Sequence, residues 1–138
     1  VVTRKGSFMA NKDIFLKKGF LPVDNASPDF ELLALKLDDK AENPSFKIAS
    51  TNAYNNGLTV IRSAQCPYSV KNVEAILETA WKLSIETQLI EMDDLPDLQS
   101  TPCAFGTFCI IYNGEVISHH PISKKRFENI MMKKFSMG

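Results

Sequence analysis

The chain has 138 residues, of which 44% are hydrophobic and 23% charged, and its 16 basic residues balance its 16 acidic residues. This composition is typical of a folded protein with one sound core or two small ones. The balanced charge argues against nucleic acid or an anionic membrane surface as the main partner. No apolar run approaches the roughly 18 residues that a membrane-spanning helix needs. The 3 cysteines have no zinc-binding spacing, which indicates free thiols in a reducing compartment, so we expect a cytoplasmic protein.

The first part of the chain predicts a helix and two strands. Its opening residues, VVT, are typical of the end of a β-strand, so we expect a piece of a longer protein. Asn11 predicts the cap of a helix over residues 12–18 that stops at Gly19. Strands are predicted over residues 20–23 and 30–37, with an acidic turn between them.

A second group of elements follows a segment that is rich in Asn, Pro and Gly, residues 43–57. Because this segment is typical of a linker, we expect separate domains over residues 1–42 and 58–138. The predicted order in the second domain is strand 58–61, helix 70–83, strand 85–92, strand 107–112, strand 115–120 and helix 123–134. Asn113-Gly114 predicts a hairpin turn, and Ser123 predicts the cap of the last helix. This order is βαβ, a loop and then ββα, with a right-handed parallel crossover first.

Cys66 is the candidate reactive thiol, since it lies where the strand 58–61 passes into the helix 70–83. The first turn of a helix has unpaired N–H groups and a partial positive charge, both of which lower the pKa of a thiol. Pro67 suits this turn because it has no N–H to lose. Arg62 is the only cation close by in sequence, and a buried structural cysteine is the alternative.

Other side chains offer weaker hypotheses. Cys103, in a loop, is a candidate redox partner of Cys66, whereas Cys109 lies mid-strand and is expected to be inert core. His119-His120 could join Cys66 at a metal, but an exposed strand edge is the plainer interpretation, and we expect no metal site. We expect Trp81 to pack in the interior. The stripe of apolar side chains on the last helix is also expected to be core: Phe127, Ile130, Met131 and Phe135.

The segment NKDIFLKKGF, residues 11–20, followed by a strand, a turn and FELL at residues 30–33, resembles the C-terminal end of a GNAT family N-acetyltransferase domain. The resemblance implies acetyl-CoA as cofactor, with Asn11 as a helix cap on the CoA side. Many members place a tyrosine four residues before the glycine as proton donor, and Phe15 stands there. The glycine-rich loop that holds the pyrophosphate of acetyl-CoA in this family would lie upstream of this helix, outside these residues.

The segment CPYS, residues 66–69, resembles the active-site turn of monothiol glutaredoxins, with Ser69 in place of a second cysteine. The position of the cis-proline of thioredoxins falls on Gly106, which would permit an unusual backbone conformation or a close approach by a ligand. This resemblance makes Cys66 a candidate catalytic residue, and Tyr68 and Gly106 candidate substrate-binding residues. Because it combines these two segments, the chain resembles the YoaP-like group, which are GNAT proteins with a thioredoxin-fold C-terminal extension.

We therefore expect an α/β chain, in which a GNAT-like C-terminal helix and β-hairpin precede a thioredoxin-like domain. The first functional hypothesis is the C-terminal part of an amine N-acetyltransferase whose thioredoxin-like domain shapes or selects the acceptor site. The acceptor would be a small-molecule amine or a peptide. The alternative is a degenerate thioredoxin-fold binding module or a monothiol redox element that uses Cys66. The incomplete GNAT sheet should pair with the rest of the protein or with a second copy.

Overall fold

The computed structural model describes residues 1–6, 10–64, 68–94, 96, 100–104 and 107–138, without the side chain of Tyr68. The described part is mixed α/β with two separate sheets. The chain divides into two compact units, Val1–Lys47 and Ile48–Gly138. This division falls within the Asn- and Pro-rich segment 43–57, while the domain limits expected at residues 42 and 58 stay predictions.

The first unit is a three-stranded antiparallel sheet with one short helix. Its elements are β1 (Val2–Arg4), α1 (Lys12–Leu16), β2 (Leu21–Ala26) and β3 (Phe30–Ala34). The strand order is β1-β3-β2, so the predicted hairpin of β2 and β3 is present and the opening residues do form a strand.

Two predicted ends in this unit are wrong. The helix ends at Leu16 because the next residues form a tight turn, which closes with Phe20 N–H bonded to the carbonyl of Phe15 and with Gly19 at φ +87°. The strand predicted to residue 37 ends at Ala34, the last residue that β2 pairs with. The apolar residues beyond it have no strand partner among the described residues, and Leu37 is 93% exposed.

The second unit is built on a four-stranded sheet with two long helices. Its elements are β4 (Leu58–Ser63), α2 (Tyr68–Lys82), β5 (Thr87–Met92), β6 (Phe108–Tyr112), β7 (Glu115–Ser118) and α3 (Lys124–Met137). The strand order is β5-β4-β6-β7. β4 and β5 are parallel and the other pairs are antiparallel, so the predicted parallel pairing and hairpin are confirmed, while the right-handed crossover stays a prediction. Asn113 and Gly114 have φ of 47° and 81°, as a two-residue hairpin turn requires.

Alternation along the central strands divides the core of this unit between the two faces of the sheet. On one face, Leu58 and Val60 belong to a buried cluster with residues of α2 and α3, including Phe127. On the other face, Ile61 belongs to a second cluster with Cys109 and Cys103. The helices therefore cover the first face.

Helix α3 begins as predicted, because the Ser123 hydroxyl accepts a hydrogen bond from the backbone N–H of Arg126 at 3.3 Å. Phe127 and Met131 are fully buried, while Phe135 is 47% exposed and touches Tyr112 edge to face.

The expectation that Trp81 packs in the interior is wrong, because its side chain is 77% exposed. The buried stripe of α2 passes through Val73, Ile76 and Ala80, and Trp81 lies outside it. None of the helices in the described part of the chain combines the length and apolar character that crossing a bilayer requires.

Candidate functional site

The described residues that flank the predicted thiol site lie where β4 ends and where α2 begins. β4 ends at Ser63, whose backbone N–H donates to the carbonyl of Thr107 at 3.0 Å, and α2 begins at Tyr68. Cys66 and Gly106 lie outside the described residues, as does the side chain of Tyr68. Their assignments as catalytic and substrate-binding residues therefore stay predictions.

Arg62, the cation close to Cys66 in sequence, is already paired. β4 and β5 run parallel with Arg62 opposite Glu91, and the two side chains form an ion pair. The sequence suggested Arg62 as support for a thiolate at Cys66. Because Glu91 offsets its charge, Arg62 contributes less to lowering the pKa of a nearby thiol than an unpaired arginine would.

Cys103 and Cys109 form a buried thiol pair, which the sequence did not predict. Cys103 is 4% exposed and Cys109 is fully buried, both are free cysteines, and both belong to the cluster on the face of the sheet opposite the helices. A side-chain hydrogen bond to Cys103, followed by burial, raises the pKa of Cys109 well above its ordinary value. Cys109 is thus buried as expected, but its neighbour is a second thiol.

Tyr54 lies beside this thiol pair. It is half-buried, lies at the end of a single 3-10 turn (Asn52–Tyr54), and packs against the same cluster. Burial, and secondarily Cys109 and Cys103, raise the pKa of Tyr54, so the phenol stays protonated at neutral pH. The sequence contained one sign of this group of Cys103, Cys109 and Tyr54. Side chains alternate between the two faces along β6, which places Cys109 on the face away from Phe108 and Ile110.

In the first unit, Asn11 caps α1 as predicted. Its side-chain oxygen accepts from the backbone N–H of Asp13 at 3.3 Å, and its amide donates to the Asp13 carboxylate at 3.1 Å. Asn11 also lines a cavity of about 430 Å³ beside β1. The cap is therefore at the edge of a space that could admit a ligand.

The lining of this cavity is polar, with three basic and two acidic side chains: Arg4, Lys5, Lys12, Asp13 and Glu31. Lys12 pairs with Glu31 at 2.9 Å, and Arg4 pairs with Asp29 at 2.6 Å. The hydroxyl of Thr3, also in the lining, is buried with no hydrogen-bond partner among the described residues.

The metal site considered for His119-His120 with Cys66 stays untested, because Cys66 lies outside the described residues. His120 Nδ1 lies 3.0 Å from the carbonyl oxygen of Pro121. Across the described residues, no group of three or more His, Cys, Asp or Glu side chains is arranged to hold a metal ion.

Comparison with known proteins relates both units to one group. The family model described as YoaP-like matches residues 87–129, which run from β5 into α3. The chain is similar to the YoaP-like proteins. It is 28% identical over 130 residues to the "Uncharacterized N-acetyltransferase YoaP" of Bacillus subtilis (strain 168). That match covers 93% of this chain, which spans about half (52%) of the length of that relative. No solved structure is significantly similar to the chain.

Proposed function

We propose that the whole protein is an acyl-CoA-dependent N-acetyltransferase, to which the first unit contributes the C-terminal part of a GNAT-like domain. The observation that carries the proposal is the 28% identity, over 93% of this chain, to a protein named as an N-acetyltransferase. Because the chain spans about half of that relative, the proposal concerns the activity of the whole protein. The edge strands β1 and β2 would pair with further strands of the protein or of a second copy.

The residues around the cavity of the first unit fit part of an acyl-CoA molecule, which supplies an activated thioester when it is bound. Arg4 and Lys12 are each paired with a carboxylate, so Lys5 is the lining cation on which a contact with a phosphate group would mainly depend. The buried Thr3 hydroxyl would gain a hydrogen-bond partner there. In this proposal Asn11 and Lys5 hold the cofactor, with acetyl-CoA as the specific donor.

Phe15 limits what this unit does chemically. Its ring packs against Phe20 with centroids 5.6 Å apart, and it has no proton to give. In this proposal the group that protonates the departing thiolate is therefore another residue of the whole protein.

Asn11→Asp should weaken the binding of CoA to the full-length protein about tenfold or more, since it places a negative charge beside the phosphates. The aspartate retains the oxygen that caps α1, so the fold should survive. Isothermal titration with CoA measures the effect, and a thermal scan checks the fold.

Asn129→Asp is the matched control, because it makes the same chemical change at an exposed position of α3. Its affinity for CoA should equal that of the wild type. Failure of the full-length wild type to bind CoA would refute the acetyltransferase proposal. Equal affinities in all three proteins would remove Asn11 from the site.

For the second unit we propose a thioredoxin-like arrangement that helps to enclose or select the acceptor, a small-molecule amine or a peptide. Its support is the strand order β5-β4-β6-β7, with a parallel crossover through α2 and an antiparallel hairpin. The turn with Cys66 then follows the central strand β4.

That position also favours a second candidate function, a monothiol redox or thiol-binding module that uses Cys66. On this reading the apparent pKa of Cys66, from its alkylation rate with iodoacetamide against pH, should lie below the ordinary value of about 8.5. Glu91→Gln should lower it further by about 0.5 unit, because Arg62 loses its counter-charge.

Glu78→Gln is the control for this measurement. Glu78 is an exposed residue that pairs with Lys82 on α2 at 2.5 Å, so its replacement should leave the pKa of Cys66 unchanged. A Cys66 pKa of about 8.5 or above would exclude the redox module.

A further inference from the structure

We propose that Cys103 and Cys109 are a redox modification site, at which a hydroperoxide converts the two buried thiols into an intramolecular disulfide. The inference concerns the face of the second unit opposite the helices, and it does not depend on the acetyltransferase proposal. It starts from the placement of the two sulfur atoms within one buried cluster.

Each cysteine is held in place by its own backbone. Cys109 lies in β6, opposite Ile61 of the central strand. The N–H of Cys103 donates to the hydroxyl of Thr101 at 3.3 Å, and the carbonyl of Thr101 accepts from the N–H of Ala49 at 3.1 Å. The two thiols lie in one buried cluster, within reach of a side-chain hydrogen bond, and belong to two anchored segments. A disulfide between them requires the two sulfurs to approach to the length of an S–S bond.

The chemical environment assigns the order of the two steps. The hydrogen bond to Cys103, followed by burial, raises the pKa of Cys109, which keeps this thiol protonated. Cys103 is the slightly more accessible of the two at 4% exposure. Cys103 is therefore the sulfur that reacts first with the oxidant.

The reaction balances with one hydroperoxide. The sulfur of Cys103 attacks the terminal oxygen, the O–O bond breaks, and the thiol proton of Cys103 passes to the departing oxygen. Cys103 becomes a sulfenic acid with release of water or an alcohol. The sulfur of Cys109 then attacks that of Cys103, the S–O bond breaks, and the Cys109 proton leaves with the hydroxyl as water. Two thiols lose two electrons in total, and the peroxide gains them. Hydrogen peroxide is small enough to suit a site with so little exposed surface.

Such a disulfide would tie residues 100–104 covalently to β6. The two cysteines lie on the face of the sheet that α2 and α3 do not cover, and Tyr54 packs on the same face. Oxidation would thus stiffen the covering of this face without disturbing the cluster around Phe127.

The test uses the Cys66→Ser variant, which leaves Cys103 and Cys109 as the remaining thiols of this chain. The folded variant is treated with hydrogen peroxide, then denatured, and its free thiols are counted. We expect both thiols to be lost, dithiothreitol to restore both, and peptide mapping to find Cys103 linked to Cys109 within one molecule.

Two further variants, Cys66→Ser/Cys103→Ala and Cys66→Ser/Cys109→Ala, provide the controls. With Cys109 alone, oxidation should be slowed at least about tenfold, and with Cys103 alone it should stop at a sulfenic acid that dimedone traps. The main experiment retains the native pair, so it stands even where an alanine variant folds poorly. The proposal is overturned when peroxide leaves both thiols titratable, when dithiothreitol fails to restore them, or when the link joins two molecules.

Discussion

Replacing Phe127 with alanine is expected to lower the free energy of unfolding of the second unit by about 4 kcal/mol. Phe127 is fully buried in the cluster between the sheet and the two helices, with Val60, Ile76 and Ile110 among its members. Removing the ring leaves a cavity between elements that are far apart in sequence, and close-packed surroundings fill such a space only in part. Urea unfolding followed by far-UV circular dichroism measures the loss.

Phe135→Ala on the same helix is the matched control. Its ring is 47% exposed and touches Tyr112 from one side, so the same change should cost about 1 kcal/mol. Equal losses for the two variants would mean that α3 does not pack on the sheet through Phe127.

Gly57→Ala is the second change with a large expected effect, a loss of about 3 kcal/mol from the stability of the same unit. Gly57 has a φ of +70°, which an alanine adopts only with strain, and its added Cβ would lie 2.4 Å from the carbonyl oxygen of Glu86. That oxygen accepts the backbone hydrogen bond of Leu58 at 2.8 Å, at the start of β4. The backbone must therefore shift where the central strand begins.

Gly114→Ala is the control that separates the cost of a positive φ from the cost of the close contact with the Glu86 carbonyl oxygen. Gly114 has a similar φ of +81°, but its added Cβ would meet the side-chain oxygen of Asn55 at 2.8 Å, which a rotation of that side chain relieves. We expect a loss of about 1 kcal/mol, the cost of the backbone conformation alone. Thermal and urea unfolding of both variants should show this difference, and a Gly57 variant as stable as the Gly114 variant would contradict the contact.

The order and type of the main elements could be predicted from the sequence because their signals are local. The hairpin turn depends on Asn113 and Gly114, which adopt positive φ more readily than most residues. The last helix begins where the Ser123 hydroxyl bonds a backbone N–H of its own first turn. Each of these interactions joins residues only a few positions apart, so the sequence shows both partners together.

The ends of the elements and the exposure of individual side chains could not be predicted in this way. β3 ends at Ala34 because its partner strand offers no further pairing, although the apolar run continues. Trp81 is exposed because the neighbouring elements pack on a stripe of α2 that does not include it. Both outcomes depend on what another element places opposite.

The features of the candidate sites also fall into those that local sequence predicts and those that depend on tertiary structure. By itself, the sequence determined the cap at Asn11 and the paired strands on either side of the Asn-Gly turn. Only the tertiary structure decided that Glu91 neutralises Arg62 across two parallel strands, and that Cys103 and Cys109 share one buried cluster. The physical reason is that charge and redox chemistry depend on distances through space, and those distances are set by strand register and by the segments that cover the sheet.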